Sequence, residues 1–119
     1  MARVLIVDDA AFMRMRCAKL LREHGFDVEE AANGTEAVQK YRERRPDAVL
    51  LDITMPEMDG LTALREIRSF DATARIAMVT AMGQQGIVIE AIKSGARDFV
   101  LKPFQPDRLL DSLRKLLIS

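Results

Sequence analysis

The sequence predicts an α/β fold, with five short strands in a mostly parallel sheet and five helices covering both of its faces. Three observations predict it. Short unbroken apolar runs recur along the chain, longer stretches with helical spacing separate them, and chemically capable polar residues stand at the ends of the runs. Strands buried on both faces read as continuous apolar runs rather than as an alternation. Such strands alternating with helices make a parallel sheet with right-handed crossovers.

The strand candidates are residues 4–7, 28–31, 48–51, 76–79 and 99–101, each bounded by turn residues. The first helix candidate, 11–24, sets Met13, Cys17, Leu20 and Leu21 on one face, and Gly25 stops it. The second, 35–44, uses Ala37, Val38 and Tyr41 and ends before Pro46. The third, 61–69, uses Leu61, Leu64 and Ile67. The fourth, 84–94, uses Val88, Ala91 and Ile92 and closes at Gly95. The fifth, 107–118, uses Leu109, Leu110, Leu113 and Leu117, with Pro106 near its first turn. No repeat, linker or low-complexity segment interrupts the pattern. The last helix runs almost to residue 119, so one domain over 1–119 without an output domain is expected.

Size and composition narrow the function. A chain of 119 residues is one domain, and 49% hydrophobic residues suffice for one core. Eighteen basic and eighteen acidic side chains balance, which argues against nucleic-acid binding, because that affinity rests on a basic surface. The cluster Arg42–Arg45 reads as a solvated helix end. One cysteine, Cys17, excludes an intramolecular disulfide and a multi-cysteine metal site; it reads as a small core residue. The opening apolar run is too short for a signal segment or a membrane span, so a soluble, cytoplasmic protein is expected, and a monomer is the expected state. His24 suits the dipole at a helix end. Met13 and Met78 fit core positions; Met15 and Met82 are less clearly buried, with packing in the core or at its rim favoured over a face turned to a partner.

The chemistry collects at strand ends. Asp8 and Asp9 follow the first strand, Asp52 ends the third, Thr80 ends the fourth, and Lys102 follows the fifth. In a parallel sheet these five converge on one edge, where ligands of such sheets bind. Three crowded carboxylates repel one another and call for a cation. Mg²⁺ suits them, since it takes a few carboxylates and keeps waters. One carboxylate can then attack phosphorus, while a lysine and a hydroxyl offer hydrogen bonds to the phosphoryl oxygens. Singly, each residue has a plainer role. Asp9 could cap the first helix, Asp52 could start the turn Met55-Pro56-Glu57-Met58-Asp59-Gly60, Thr80 could be ordinary strand composition, and Lys102 could be a solvated loop charge. Their conjunction on one edge favours the shared pocket.

At these residues the chain resembles the response-regulator receiver family over nearly its full length. The resemblance lies in Val4-Leu5-Ile6-Val7-Asp8-Asp9, Leu51-Asp52-Ile53-Thr54-Met55-Pro56, Asp59-Gly60, Val79-Thr80-Ala81, Gly95-Ala96 and Lys102-Pro103-Phe104. Asp9-Ala10-Ala11-Phe12-Met13-Arg14 and Ala81-Met82-Gly83-Gln84-Gln85 are similar to the chemotaxis branch of that family, the CheY type. The resemblance implies a flavodoxin-like doubly wound sheet in the order 2-1-3-4-5, the order for which CheY itself is the standard example. It implies Asp52 as phosphoacceptor, with Mg²⁺ held by Asp9, by Asp8 mainly through water, by Asp52 and by the Thr54 backbone carbonyl. It implies that Thr80 and Lys102 contact the phosphoryl oxygens, that Phe99 is the switch aromatic coupled to Thr80, and that the Lys102-Pro103 bond is cis. Phe99 stands where the family often has tyrosine. Met82, two residues beyond Thr80, offers no polar group to position water, which implies slow self-dephosphorylation.

The partners implied are a histidine kinase as phosphodonor and, as output, a flagellar motor switch protein or a phosphatase. Signalling would run through the face built from residues 84–94, 99–101 and 107–118. The chain would catalyse only its own phosphorylation and dephosphorylation. A phosphorelay carrier and a receiver module of a longer regulator are the alternatives. An aspartyl-phosphate phosphatase is disfavoured, because Thr54 stands where a second carboxylate would be needed.

Overall fold

The computed structural model describes residues 2–55 and 58–118; Pro56 and Glu57 of the turn after Asp52 lie outside that range. The strands are β1 (Arg3–Val7), β2 (Asp27–Ala31), β3 (Ala48–Leu51), β4 (Ile76–Thr80) and β5 (Asp98–Leu101). The helices are α1 (Ala11–Glu23), α2 (Gly34–Arg44), α3 (Gly60–Phe70), α4 (Gln85–Lys93) and α5 (Pro106–Ile118). Each end lies within one residue of its sequence expectation. All four strand pairings are parallel and the order is β2-β1-β3-β4-β5, as expected.

Alternation along the strands divides the core into two layers. Leu5, Val7, Val49, Leu51, Ile76 and Met78 face one side, where α2, α3 and α4 cover them with Ala37, Tyr41, Leu64, Ile67 and Ala91. Val4, Ile6, Ala48, Leu50, Ala77, Val79 and Val100 face the other, against Cys17, Ala18 and Leu21 of α1 and Leu109, Leu110, Leu113 and Leu116 of α5. A fully buried Leu or Ile contributes about 1.5–3 kcal/mol, so register is strongly set. A slip by one residue would exchange the two layers.

Three inward faces differ in detail. In α4, Ala91 is buried but Ile92 is 48% exposed, and Ile87 and Val88 pack part-way instead. In α5, Leu116 is buried where Leu117 was expected to lead. In α1, Met13 is half-buried rather than core, whereas Met78 is fully buried. Helix ends follow their chemistry. The Asn33 and Asp59 side chains accept from Glu36 N and Thr62 N at 2.8 Å, capping α2 and α3. Gly25 ends α1 at φ 88°, a left-handed conformation that favours glycine. His24 sets Nδ1 2.9 Å from the Leu20 carbonyl at the same end.

The arginines closing α2 are docked rather than simply solvated. Arg42 and Arg45 stack on Phe70 with the guanidinium carbon 4.6 Å and 5.4 Å from the ring centre, and Arg45 also meets Asp71 at 3.2 Å. Asp71 also accepts from the Tyr41 hydroxyl at 2.7 Å and from both the amide and the hydroxyl of Thr73. These hydrogen bonds, Tyr41 first, lower its pKa to about 2, against burial. A depressed carboxylate contributes stability above its unfolded pKa of about 4 and loses it as pH falls toward 2. After allowing for its contact with water, Asp71→Asn is expected to cost about 1 kcal/mol at pH 7. In urea unfolding, the gap to wild type should narrow between pH 5 and pH 3; a gap constant with pH would contradict this reading.

Candidate functional site

Parallel pairing carries the five polar residues to one edge of the sheet. Val7 lies opposite Leu51, so Asp8 and Asp52 emerge side by side. The Asp52 amide donates to the Val7 carbonyl at 3.0 Å, and the Asp8 amide to Ala31 at 3.1 Å. Thr80 closes β4 beside Leu101, and its carbonyl accepts from the Lys102 amide at 2.9 Å. Asp8, Asp9 and Asp52 each offer a carboxylate oxygen, and these oxygens lie within 4.8 Å of one another.

Lys102 bridges two of the three. Its Nζ donates to Asp8 Oδ2 at 2.6 Å and to Asp52 Oδ2 at 3.4 Å. Burial pushes the Lys102 pKa down, but the hydrogen bond to Asp8 and the charges of Asp52 and Asp8 outweigh it, and the net direction is up. Asp8 Oδ1 accepts from the Ala10 amide at 2.9 Å, and Asp52 Oδ1 from the Ile53 amide at 2.7 Å. Asp8 and Asp52 are buried, at 5% and 7% exposure, and Asp9 is exposed. Lys102 is not a solvated loop charge, since its side chain is only 17% accessible. Three carboxylates against one ammonium leave about two negative charges uncompensated on the solvent side. An all-oxygen cluster with that charge and an open face fits a hard divalent cation.

Asp9 does not cap α1. The N-cap is Ala10, with no side-chain hydrogen bond. Asp9 makes no hydrogen bond or ion pair among the described residues, so its carboxylate stands free for a ligand. Asp52 is not merely the start of a turn, being buried with its carboxylate turned to Lys102. Space behind Asp52 is tight: a Cβ on Gly60 would stand 1.9 Å from the Asp52 carbonyl oxygen, so the start of α3 can approach only as glycine.

Thr80 is 1% exposed, and its Oγ1 accepts from the Met82 amide at 3.3 Å. Alternation puts Thr80 on the same sheet face as Met78, opposite which Phe99 sits on β5. Phe99 is half-buried against that layer together with Met82 and Ile87. Thr54 is exposed, and its hydroxyl reaches Met82 Sδ at 2.8 Å. The Lys102-Pro103 bond is cis, as expected. Sequence reasoning missed Arg14, whose Nη1 donates to the Asp8 carbonyl at 2.6 Å and whose Nε donates to Glu30 at 3.1 Å. Its only sequence signal was a basic residue in the first turns of an otherwise apolar helix face.

The model of the response regulator receiver domain matches residues 4–114. The chain is 60% identical to the chemotaxis protein CheY of Bacillus subtilis over 116 residues, which is 97% of each chain. It is 56% identical to the CheY of Thermotoga maritima over 115 residues, 96% of each. Among solved structures, the CheX-CheY-BeF3-Mg complex from Borrelia burgdorferi contains a chain that superposes with a TM-score of 0.95 at 37% identity, covering 99% of this chain and 90% of that one. With matches of this extent, the chain belongs to the response regulator receiver domain family, among the relatives of the CheY chemotaxis proteins.

Proposed function

We propose that this receiver accepts a phosphoryl group on Asp52 from a histidine kinase and thereby switches a partner-binding face, in chemotaxis signalling to the flagellar motor. The observation that carries the proposal is the single pocket in which Lys102 spans Asp8 and Asp52 while Asp9 stands beside them unpaired. Asp52 is the acceptor because it is the carboxylate at the centre of the sheet, with one oxygen fixed by the Ile53 amide and the other turned to Lys102. Asp8, Asp9, Asp52 and the Thr54 carbonyl would hold Mg²⁺, which when bound neutralises charge on the phosphoryl oxygens.

The protein's own groups do the rest. Lys102 leaves the carboxylates for a phosphoryl oxygen, trading one charge-assisted bond for another. Thr80 offers its hydroxyl from the floor of the site and moves toward the same group. That movement opens space on the Thr80 face of the sheet, which Phe99, half-buried beside it, fills by turning inward. The exposed apolar residues Ile89, Ile92 and Leu101 lie on the α4–β5 side of the molecule, where such a change would be read. Met82 itself offers no polar group to aim water at phosphorus, and the Thr54 hydroxyl beside it is turned to the Met82 sulfur, in line with a long-lived phosphate.

The output partner is read as a motor switch protein or a phosphatase; that CheY pairs with a second protein in the presence of beryllofluoride and Mg²⁺ is supported by the CheX-CheY complex from Borrelia. No helix among the described residues is long and apolar enough to cross a membrane, in keeping with a soluble, cytoplasmic chain. Capture by an immobilised motor-switch protein, with Mg²⁺ and with or without beryllofluoride, tests the proposal. Capture is expected only with beryllofluoride, and equal capture in both conditions would refute a phosphate-driven switch.

A further inference from the structure

We infer that Arg14 is the positioning residue of the acidic pocket, holding the turn that aims Asp8 and Asp9 at one cation; this rests on the metal site proposed above. The carboxyl end of β1 passes into α1 without a side-chain cap, and the first turn of α1 carries no acidic residue. Among the described residues, the tie local to the helix start is the Ala10 amide on Asp8 Oδ1 at 2.9 Å, which leaves the carbonyl of the Asp8–Asp9 peptide to a partner outside the turn. Asp9 has no side-chain partner among the described residues, so its direction is set by its backbone alone. The peptide group joining Asp8 to Asp9 carries the carbonyl that Arg14 Nη1 grips at 2.6 Å. Rotation of that peptide would swing Asp9 away from Asp8 and Asp52.

Arg14 is itself held. Its Nε donates to Glu30 Oε1 at 3.1 Å, and Arg22 lies 3.8 Å from the other Glu30 oxygen. The Lys40 ammonium grips the Glu30 backbone carbonyl, tying β2 to the same network. The Arg14 side chain is 18% accessible, so its two prongs are shielded from water. A guanidinium can bond two acceptors at once in a fixed fork, which an ammonium on a flexible stem cannot reproduce. Charge and geometry make opposite demands here. A cation beside the pocket should weaken binding of another cation, and Glu30 offsets that charge while leaving the grip intact.

This opposition gives the test its sign. Mg²⁺ is titrated by calorimetry into the phosphate-free protein, as wild type, Arg14→Ala, Arg14→Lys and Glu30→Gln. Far-UV circular dichroism melts in EDTA report folding separately. Outer partners that orient metal ligands are typically worth 10–100-fold in affinity, so both Arg14 variants are expected to bind at least about tenfold more weakly, and Glu30→Gln to shift the same way. Simple electrostatics expects tighter binding in Arg14→Ala and no change in Arg14→Lys. Unchanged or tighter binding in both Arg14 variants overturns the positioning role. Should Arg14→Ala fail to fold, Arg14→Lys decides by the same criterion, because loss of the Glu30 charge weakens cation binding under either reading. Wild type that binds Mg²⁺ alongside equally competent variants sinks this inference alone, and wild type that binds no Mg²⁺ sinks it together with the metal site.

Discussion

Asp52→Asn is expected to erase the response to beryllofluoride while leaving the metal-free protein at least as stable as wild type. The two halves of this result have different causes. Loss of response follows from loss of the acceptor oxygen, since an amide neither attacks phosphorus nor coordinates beryllium in its place. Stability follows from the balance of charges. Asp52 sits within 4.8 Å of two other carboxylate oxygens and 3.4 Å from the Lys102 ammonium. At equal screening, two repulsions near 4.8 Å outweigh one attraction at 3.4 Å, because Coulomb energy falls only as the inverse of distance. Neutralising Asp52 should therefore raise stability in EDTA by about 1 kcal/mol, and it should weaken Mg²⁺ binding. Urea unfolding in EDTA reads the first effect and calorimetry the second. A large loss of stability would show that Asp52 is a structural anchor rather than a functional liability.

Lys102→Met is expected to act in the opposite direction on stability, and in two directions on function. Its ammonium holds two buried carboxylates at 2.6 Å and 3.4 Å, and removing one partner of a buried ion pair costs about 3–5 kcal/mol. Here the pocket opens to water, so about 2–3 kcal/mol at neutral pH in EDTA is the expected loss. Mg²⁺ should restore most of it and bind more tightly than to wild type, because the competing cation is gone. Phosphoryl uptake from acetyl phosphate should nonetheless fall by about two orders of magnitude, the worth of one or two charge-assisted hydrogen bonds.

The pH dependence has a definite sign. The Lys102 pKa is raised in the folded state, so its contribution is complete below the unfolded value of about 10.4 and is lost as pH rises through the folded one. The stability gap between wild type and Lys102→Met should thus close only at strongly alkaline pH. Tighter metal binding combined with slower phosphorylation is the diagnostic pair. Parallel loss of both would mean that Lys102 serves only to fold the pocket.

Most of the architecture was legible because its signals are local. The buried strands are continuous apolar runs, and β4 and β3 are buried at every residue, so their limits followed from composition. The site was legible for a related reason: in a parallel sheet, residues just past strand ends share an edge whatever their separation in sequence. The face of α4 was not legible. Five of the nine residues in QGIVIEAIK are apolar and spread around the helix, so periodicity could not say which would be left outside. The Arg42 and Arg45 stacking on Phe70, the Tyr41–Asp71 bond and the Arg14 grip on Asp8 were also hidden. Each depends on long side chains crossing between elements, which no spacing rule encodes.

The central claim is that one carboxylate in this pocket takes up phosphate with the help of a divalent cation. Intact-mass measurement after incubation with acetyl phosphate, with Mg²⁺ and with EDTA, followed by peptide mapping, tests it most directly. A single Mg²⁺-dependent phosphoryl adduct located on Asp52 is expected. No adduct, or one placed on Asp8 or Asp9, would contradict it.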